Sequence, residues 1–258
     1  EVVRWEKSTN NWVSKTNIIN TLPSHDYTNL TATTKYRAIL QSGVCSEAVS
    51  TEVTITVNAE SEGGTLSSNA TVCSGTNLGT LTLTGYTGSI IRWQKTTSTW
   101  SGKTNIPNTT ASLDYSELTE TTQYRVILKS GVCSRAFSNV INITVDAPSI
   151  GGILSSDATV CSGENLGTLS LSGETGDVVR WEKSTNNWVS KTNIDNTSSS
   201  QDYTNLTATT KYRAILQSGV CSSSSSNDVT ITVDAVSIGG TLSSSATTVC
   251  SGENSGTL

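Results

Sequence analysis

Three stretches of this chain recur at one fixed interval, and that interval constrains the fold more than any other feature. Trp5, Trp93 and Trp181 stand 88 residues apart, as do Cys45, Cys133 and Cys221. Cys73 and Cys161 keep the same step, and Cys250 falls one residue late because this copy carries an extra Thr at Thr247-Thr248. A period of this length is enough for a small domain with its own core, so the chain reads as a tandem array. Copies one and three are identical over Val2–Ile18 and Val178–Ile194 and again over Tyr27–Ser46 and Tyr203–Ser222, whereas the middle copy differs.

Each copy opens on a Gly-Gly pair, Gly63-Gly64, Gly151-Gly152 or Gly239-Gly240, preceded by a short linker ending in Ser61, Ser149 or Ser237. Cutting there gives complete repeats at 59–146 and 147–234, a C-terminal portion of a repeat at 1–58, and opening strands alone at 235–258. The sequence thus reads as a piece of a longer array, with no starting Met and no signal segment.

Within a repeat the period is that of strands. Leu81 and Leu83 alternate with Thr80, Thr82 and Thr84, while Tyr124, Val126 and Leu128 share a face against Arg125, Ile127 and Lys129. About seven short strands separated by Gly, Asn, Ser and Thr turns, with no helical period, predict an all-β fold of antiparallel two-sheet sandwiches. Trp5, Trp93 and Trp181 are placed in the core on a central strand. Leu118 lies six residues before Tyr124, the spacing of a tyrosine corner, which Tyr36 and Tyr212 repeat. The fold class is therefore tandem immunoglobulin-like β-sandwiches in a linear array.

The chemistry-bearing residues are sparse. The single His25 is replaced by Leu113 and Gln201 in the other copies, which removes a base for Ser-His-Asp catalysis and reads as a solvated loop residue. Asp26, Asp114 and Asp202 recur singly as turn residues, without the paired carboxylates of glycoside hydrolysis. Asp146 and Asp234 sit at repeat junctions where calcium could bind, but Asn58 replaces them once, so no metal and no cofactor is expected. The expectation is a protein that is not an enzyme. With 16 Lys plus Arg against 21 Asp plus Glu there is no basic stripe, which sets nucleic acid aside. No run of 18 apolar residues is present, so no membrane insertion is expected in this segment. Asn29, Asn69, Asn108, Asn142, Asn196 and Asn205 match the glycosylation sequon, a frequent accident in a chain that is about a third Ser and Thr.

Two cysteines per repeat, without Cys-x-x-Cys, fit one disulfide per sandwich in an oxidising compartment. The favoured pairing is Cys73 with Cys133 and Cys161 with Cys221, on the assumption that the opening strand lies beside the last one. Each bridge would close a loop of about 61 residues and stabilise the repeat by roughly 4 kcal/mol. Cys45 and Cys250 would then pair outside the segment. The competing scheme joins neighbours, Cys45 to Cys73, Cys133 to Cys161 and Cys221 to Cys250. The second tryptophans, Trp12, Trp100 and Trp188, lie seven residues after the core ones, either packed under a loop or exposed as contacts for a ligand.

The runs Gly-Gly-Thr/Ile-Leu-Ser-Ser, Thr-Val-Cys-Ser-Gly, Val-Val-Arg-Trp-Glu-Lys-Ser-Thr, Leu-Thr-Ala-Thr-Thr-Lys-Tyr-Arg-Ala and Ser-Gly-Val-Cys-Ser resemble the immunoglobulin-like repeats of large Bacteroidota surface proteins. The resemblance implies export by the type IX route, a secreted or cell-surface location, and a role in adhesins or surface filaments, including gliding adhesins. The leading expectation is a structural stalk or filament segment that extends from the cell for attachment or gliding. Its partners would be other repeats of the same chain, with surface polysaccharide or neighbouring fibres beyond them. Two alternatives stand beside it. One is a multivalent carbohydrate-binding module using the loop tryptophans. The other is a subunit of an extracellular filament assembled by strand complementation.

Overall fold

The computed structural model describes residues 1–67, 69–155 and 157–258 and divides into two compact units, Glu1–Val145 and Asp146–Leu258. Apart from a single short turn of 3₁₀ helix at Trp100–Gly102, every regular element among the described residues is a strand.

In the first unit the middle repeat is a complete two-sheet sandwich. One sheet runs in the order Thr104–Ile106, Ser89–Thr96, Thr122–Lys129, Ile141–Asp146 and Ala70–Cys73, with Arg135–Phe137 also paired to Thr122–Lys129. The facing sheet is Ser112–Ser116, Leu78–Thr84 and Thr65–Leu66. The alternation read from sequence decides which side chains enter. Leu81 and Leu83 meet Trp93, Tyr124, Val126 and Leu128, and Trp93 has no exposed surface. Burial of so large a ring contributes several kcal/mol, and its truncation to Ala would cost about 3–5 kcal/mol. Tyr124 is buried beside Tyr115, with ring centroids 6.4 Å apart, and burial pushes its phenol up to about 12.

The repeat at 1–58 supplies a single sheet, Thr16–Ile18, Val2–Ser8, Thr34–Leu40 and Ala48–Val49, with Val53–Ile55 alongside Thr34–Leu40. Tyr36 is buried here, but Trp5 is only half-buried, because the strands that would face it correspond to the opening strands of the other repeats.

The second unit repeats the sandwich. Asn77 of the middle repeat and its counterpart Asn165 each tie two segments together. Asn165 Nδ2 donates to Leu206 O at 2.8 Å and its Oδ1 accepts from Leu206 N at 2.9 Å. The core gathers Trp181, Tyr212, Leu169, Leu171, Val229 and Ile231. The Gly-Gly openings are required by close approach, since a Cβ on Gly63 would meet Phe137 O at 1.7 Å and one on Gly151 would meet Ser225 O at 1.8 Å. Residues 235–258 carry no strand.

The opening strand does lie beside the last one, but its direction overturns the expected disulfides. Ala158–Cys161 pairs in parallel with Val229–Asp234, which sets Cys161 level with Asp234. Thr210–Gln217 runs antiparallel to that last strand, with Thr210 opposite Ile231, and carries Cys221 beyond its other end. The two cysteines therefore sit at opposite ends of the sandwich, separated by the full strand of about 24 Å, whereas a disulfide needs Cα atoms within about 6–7 Å. Cys133 and Cys161 are accordingly free, as are Cys45 and Cys250, while Cys73 and Cys221 are disulfide-bonded. Neither the pairing of Cys73 with Cys133 and Cys161 with Cys221 nor the neighbour scheme is formed. Cys133 Sγ rests instead against Asn58 O and Ala59 O at 3.7 and 3.4 Å, and Cys221 Sγ lies near Asp146 O and Ala147 O at 3.7 and 3.2 Å. Alkylation of the unfolded, unreduced chain is expected to label Cys133 and Cys161, with Cys73 and Cys221 labelled only after reduction. A peptide linking Cys161 to Cys221 in the mass spectrum would contradict this placement.

Candidate functional site

The outward side of the tryptophan-bearing sheet holds most of the charged chemistry. Trp181 points into the core, so its strand neighbours Arg180 and Glu182 point outward. Glu182 nevertheless has no exposed side-chain surface, because cations close over it. Arg180 Nη2 and Arg213 Nη2 each donate to the carboxylate at 2.7 Å, and Lys191 donates from the adjacent strand end. Burial pushes the carboxyl up, but the hydrogen bonds from Lys191, Arg213 and Arg180 outweigh it and hold Glu182 at about 2. Glu6 repeats the arrangement in the first repeat with Arg4, Arg37 and Lys15 and is likewise lowered, against the pull of burial.

The loop tryptophans complete this face. Arg213 lies over the Trp188 ring at 4.1 Å, Arg37 over Trp12 at 4.0 Å and Arg125 over Trp100 at 4.0 Å. Each indole is half-buried, with one face given to a guanidinium. Its edge is also used in two copies. Trp188 Nε1 donates to Asp228 Oδ2 at 2.6 Å, and Trp12 Nε1 donates to Glu52 Oε2 at 2.5 Å. The Asn-Asn-Trp sequence places both rings by turning through left-handed backbone, with φ 55° at Asn187 and 69° at Trp188. Ser184 Oγ holds that turn by accepting from Asn186 N and from Trp188 N. The middle repeat reads Thr-Ser-Thr-Trp there and uses the 3₁₀ turn instead.

The middle repeat also changes the chemistry beneath the tryptophan. Gln94 takes the place of Glu6 and Glu182, fully buried, with its Oε1 accepting from Arg125 Nε at 2.9 Å and its Nε2 donating to Asn105 Oδ1 at 2.7 Å. Burial lowers the Arg125 pKa. Arg92, the counterpart of Arg4 and Arg180, is left with a buried Nε that has no hydrogen-bond partner.

Of the remaining residues singled out in the sequence, Asp114 and Asp202 lie within the strands Ser112–Ser116 and Ser200–Thr204 and not in turns, each accepting at 2.6 Å from the hydroxyl of the residue opposite it, Thr80 or Thr168. Asp146 is engaged by the backbone, its Oδ2 accepting from Val220 N at 3.0 Å. His25 departs from expectation. It is half-buried rather than solvated, with its ring 5.9 Å from both Trp5 and Tyr36, where Leu113 and Gln201 stand in the other repeats. The buried carboxylates Glu6 and Glu182 escaped sequence reasoning. Their one visible signal was a Glu directly after the core tryptophan in two copies and a Gln in the third.

Together the sheets, cores and period define a tandem array of all-β, immunoglobulin-like sandwich repeats. The chain belongs to the family described as Domain of unknown function (DUF8696), whose model matches residues 1–59, 62–147 and 150–235. Among solved structures it is similar to the chicken CNTN1 FN1-FN3 domains, at 11% identity over 88% of each chain with a TM-score of 0.33. It is also similar to domains A168-A170 from titin, at 15% identity over 84% of this chain and 79% of that one with a TM-score of 0.44. No curated protein matches the chain.

Because the folded Glu182 carboxyl lies at about 2 against an ordinary 4.5, its contribution is complete above the ordinary value and is lost as pH falls through the folded one. Thermal unfolding of the chain is expected to lose stability across that interval, and the Glu6→Gln/Glu182→Gln pair is expected to flatten the loss while still folding, as the middle repeat does with Gln94. Glu182→Ala should cost about 1–3 kcal/mol, since it removes the acceptor that Arg180, Arg213 and Lys191 share, although these cations keep some access to water. An unchanged acid profile in the Gln pair would refute the assignment.

Proposed function

We propose that the chain is a segment of a structural stalk or filament in a secreted bacterial surface adhesin, carrying no enzymatic activity and serving attachment or gliding. The observation that carries this reading is the way the linkers are tied to the repeats they enter. Asn58 Oδ1 accepts from Val132 N at 3.4 Å and Ser61 Oγ from Ser130 N at 2.8 Å. In the second unit Asp146 Oδ2 accepts from Val220 N and Ser149 Oγ from Ser218 N at 2.8 Å. Gly131 and Gly219 make the fit possible, for a Cβ there would meet Asn58 Oδ1 at 2.0 Å or Asp146 Oδ2 at 1.8 Å. The segment leading into each complete repeat is thus held to that repeat at its amide or acid and at its serine, which supports repeats that act as intact links of an array. Disulfide-bonded Cys73 and Cys221 support an oxidising compartment. The loop tryptophans favour this reading over a lectin that stacks sugars on them, because an arginine already occupies one face of each ring.

Antibodies raised against residues 59–234 are expected to label intact cells of the source organism, and deletion of the repeats should weaken attachment to a surface under flow. Labelling that requires permeabilised cells would exclude this role.

A further inference from the structure

The outer face of the middle repeat differs from its counterparts in charge. In the first repeat, Arg4, Lys15, Lys35 and Arg37 are matched by Glu6, Glu47 and Glu52 through ion pairs. In the third, Arg180, Lys191 and Arg213 close on Glu182. The middle repeat puts Gln94, Arg135 and Val140 at the positions of Glu6, Glu47 and Glu52, so every acid of the set is gone. The same face gains Lys129 where the other copies have Gln41 and Gln217, and carries Gln123 where they have Lys35 and Lys211. Among the described residues no ion pair forms there.

Strand register gathers these cations. Arg92 stands opposite Ile127, Arg125 opposite Gln94, and Lys129 directly opposite Arg135, all on outward positions of strands about 4.8 Å apart. Lys103 closes the other side, at the position of Lys15 and Lys191. A like-charge pair directly across two strands is unfavourable by itself. Arg92 adds a buried Nε with nothing to donate to, which is costly until an acceptor arrives. Aromatic rings border the cations. Arg125 lies 4.0 Å from the Trp100 ring and 4.8 Å from that of Phe137, which is 51% exposed.

We propose that this face binds a carboxylated polysaccharide, whose uronate groups pair with Arg92, Lys129 and Arg135, the cations that no acid meets among the described residues of the repeat. Guanidinium groups pair with carboxylates in a fork, and Gln123 and Asn142, on outward positions of the same sheet, offer amides to sugar hydroxyls. The site is the face of a sheet and not its edge, so its backbone donors are already spent within the ladder and an acidic peptide cannot add there as a strand. The proposal goes beyond the stalk reading and does not depend on it, since it concerns one face of one repeat.

The test is binding of the full chain to polygalacturonate at low ionic strength, with neutral dextran, poly-glutamate and single-stranded DNA as comparisons. Gln94→Glu/Val140→Asp restores the acids of the other repeats on a fold that already accommodates them there. It is expected to weaken polygalacturonate binding by about tenfold or more, the effect of withdrawing charge-assisted hydrogen bonds from the ligand. Circular dichroism confirms that the variant is folded, and Arg92→Gln/Arg135→Ser supplies an independent loss. The proposal is overturned if the wild-type chain does not bind polygalacturonate or if the restored acids leave binding unchanged. It is equally overturned if poly-glutamate or DNA binds as tightly, which would reduce the face to unspecific charge.

Discussion

A carboxylate with no solvent exposure, closed over by two arginines and a lysine, organises the outer face of the first and third repeats. Glu182 takes Arg180, Arg213 and Lys191, and Arg213 in turn lies over Trp188, whose edge is held by Asp228. The loop that carries the tryptophan is thus fixed through a chain of contacts that begins at one acid. An exposed ion pair would be worth little, but here the acid is buried and three donors satisfy its oxygens, which is the condition under which a buried charge is tolerated. The middle repeat shows how much of this needs charge. Gln94 accepts from the same arginine, and Arg125 still stacks on Trp100. Stacking and loop position survive, while neutrality does not.

The second constraint is directional. An opening strand that paired antiparallel with the last strand would have brought the two cysteines of a repeat toward one end. Parallel pairing sends them to opposite ends, and the closing cysteine then lies against the carbonyls of the residues that lead into its own repeat. The same turn receives the linker side chain, Asn58 on Gly131-Val132 or Asp146 on Gly219-Val220. One short segment, Ser-Gly-Val-Cys, therefore does two jobs. Its glycine admits the linker side chain, and its cysteine places a sulfur beside the linker backbone.

Much of the fold was legible because it rests on local periodicity. Alternation at Leu81 and Leu83, the aromatic-rich central strands and the Gly-Gly openings identify strands, core and boundaries without reference to partners. The disulfides were not legible, since period and spacing say that two strands are neighbours but not which way they run. The outer face was only half legible. Trp12, Trp100 and Trp188 stood out as large residues in polar loops, but the arginines that cover them lie 25 residues further along the chain. Composition hid the cationic face altogether: a chain with net charge -5 gives no basic stripe, yet register collects Arg92, Arg125, Lys129 and Arg135 on one sheet. His25 was misplaced because a polar residue in a loop reads as solvated, while the position it shares with Leu113 and Gln201 is half-buried in all three repeats.

A repeat array duplicates its faults as faithfully as its strengths, so a position where one copy breaks a local rule carries information that the shared positions do not. In the middle repeat three acidic positions are lost together, a new lysine appears opposite a new arginine, and an arginine nitrogen is buried without an acceptor. Each change taken alone is a small cost on an otherwise well-satisfied sheet. These changes fall on one face, where the loss of the acids and the gain of Lys129 and Arg135 outweigh the one lysine lost to Gln123. The core beneath stays closed: Trp93 and Leu128 are fully buried, as is Val126, which stands where the other copies have Ala38 and Ala214. The scaffold and its surface charge are thus separable: the same sandwich either supplies its own anion, as at Glu6 and Glu182, or puts the neutral Gln94 there and leaves Lys129 and Arg135 facing each other without an acid.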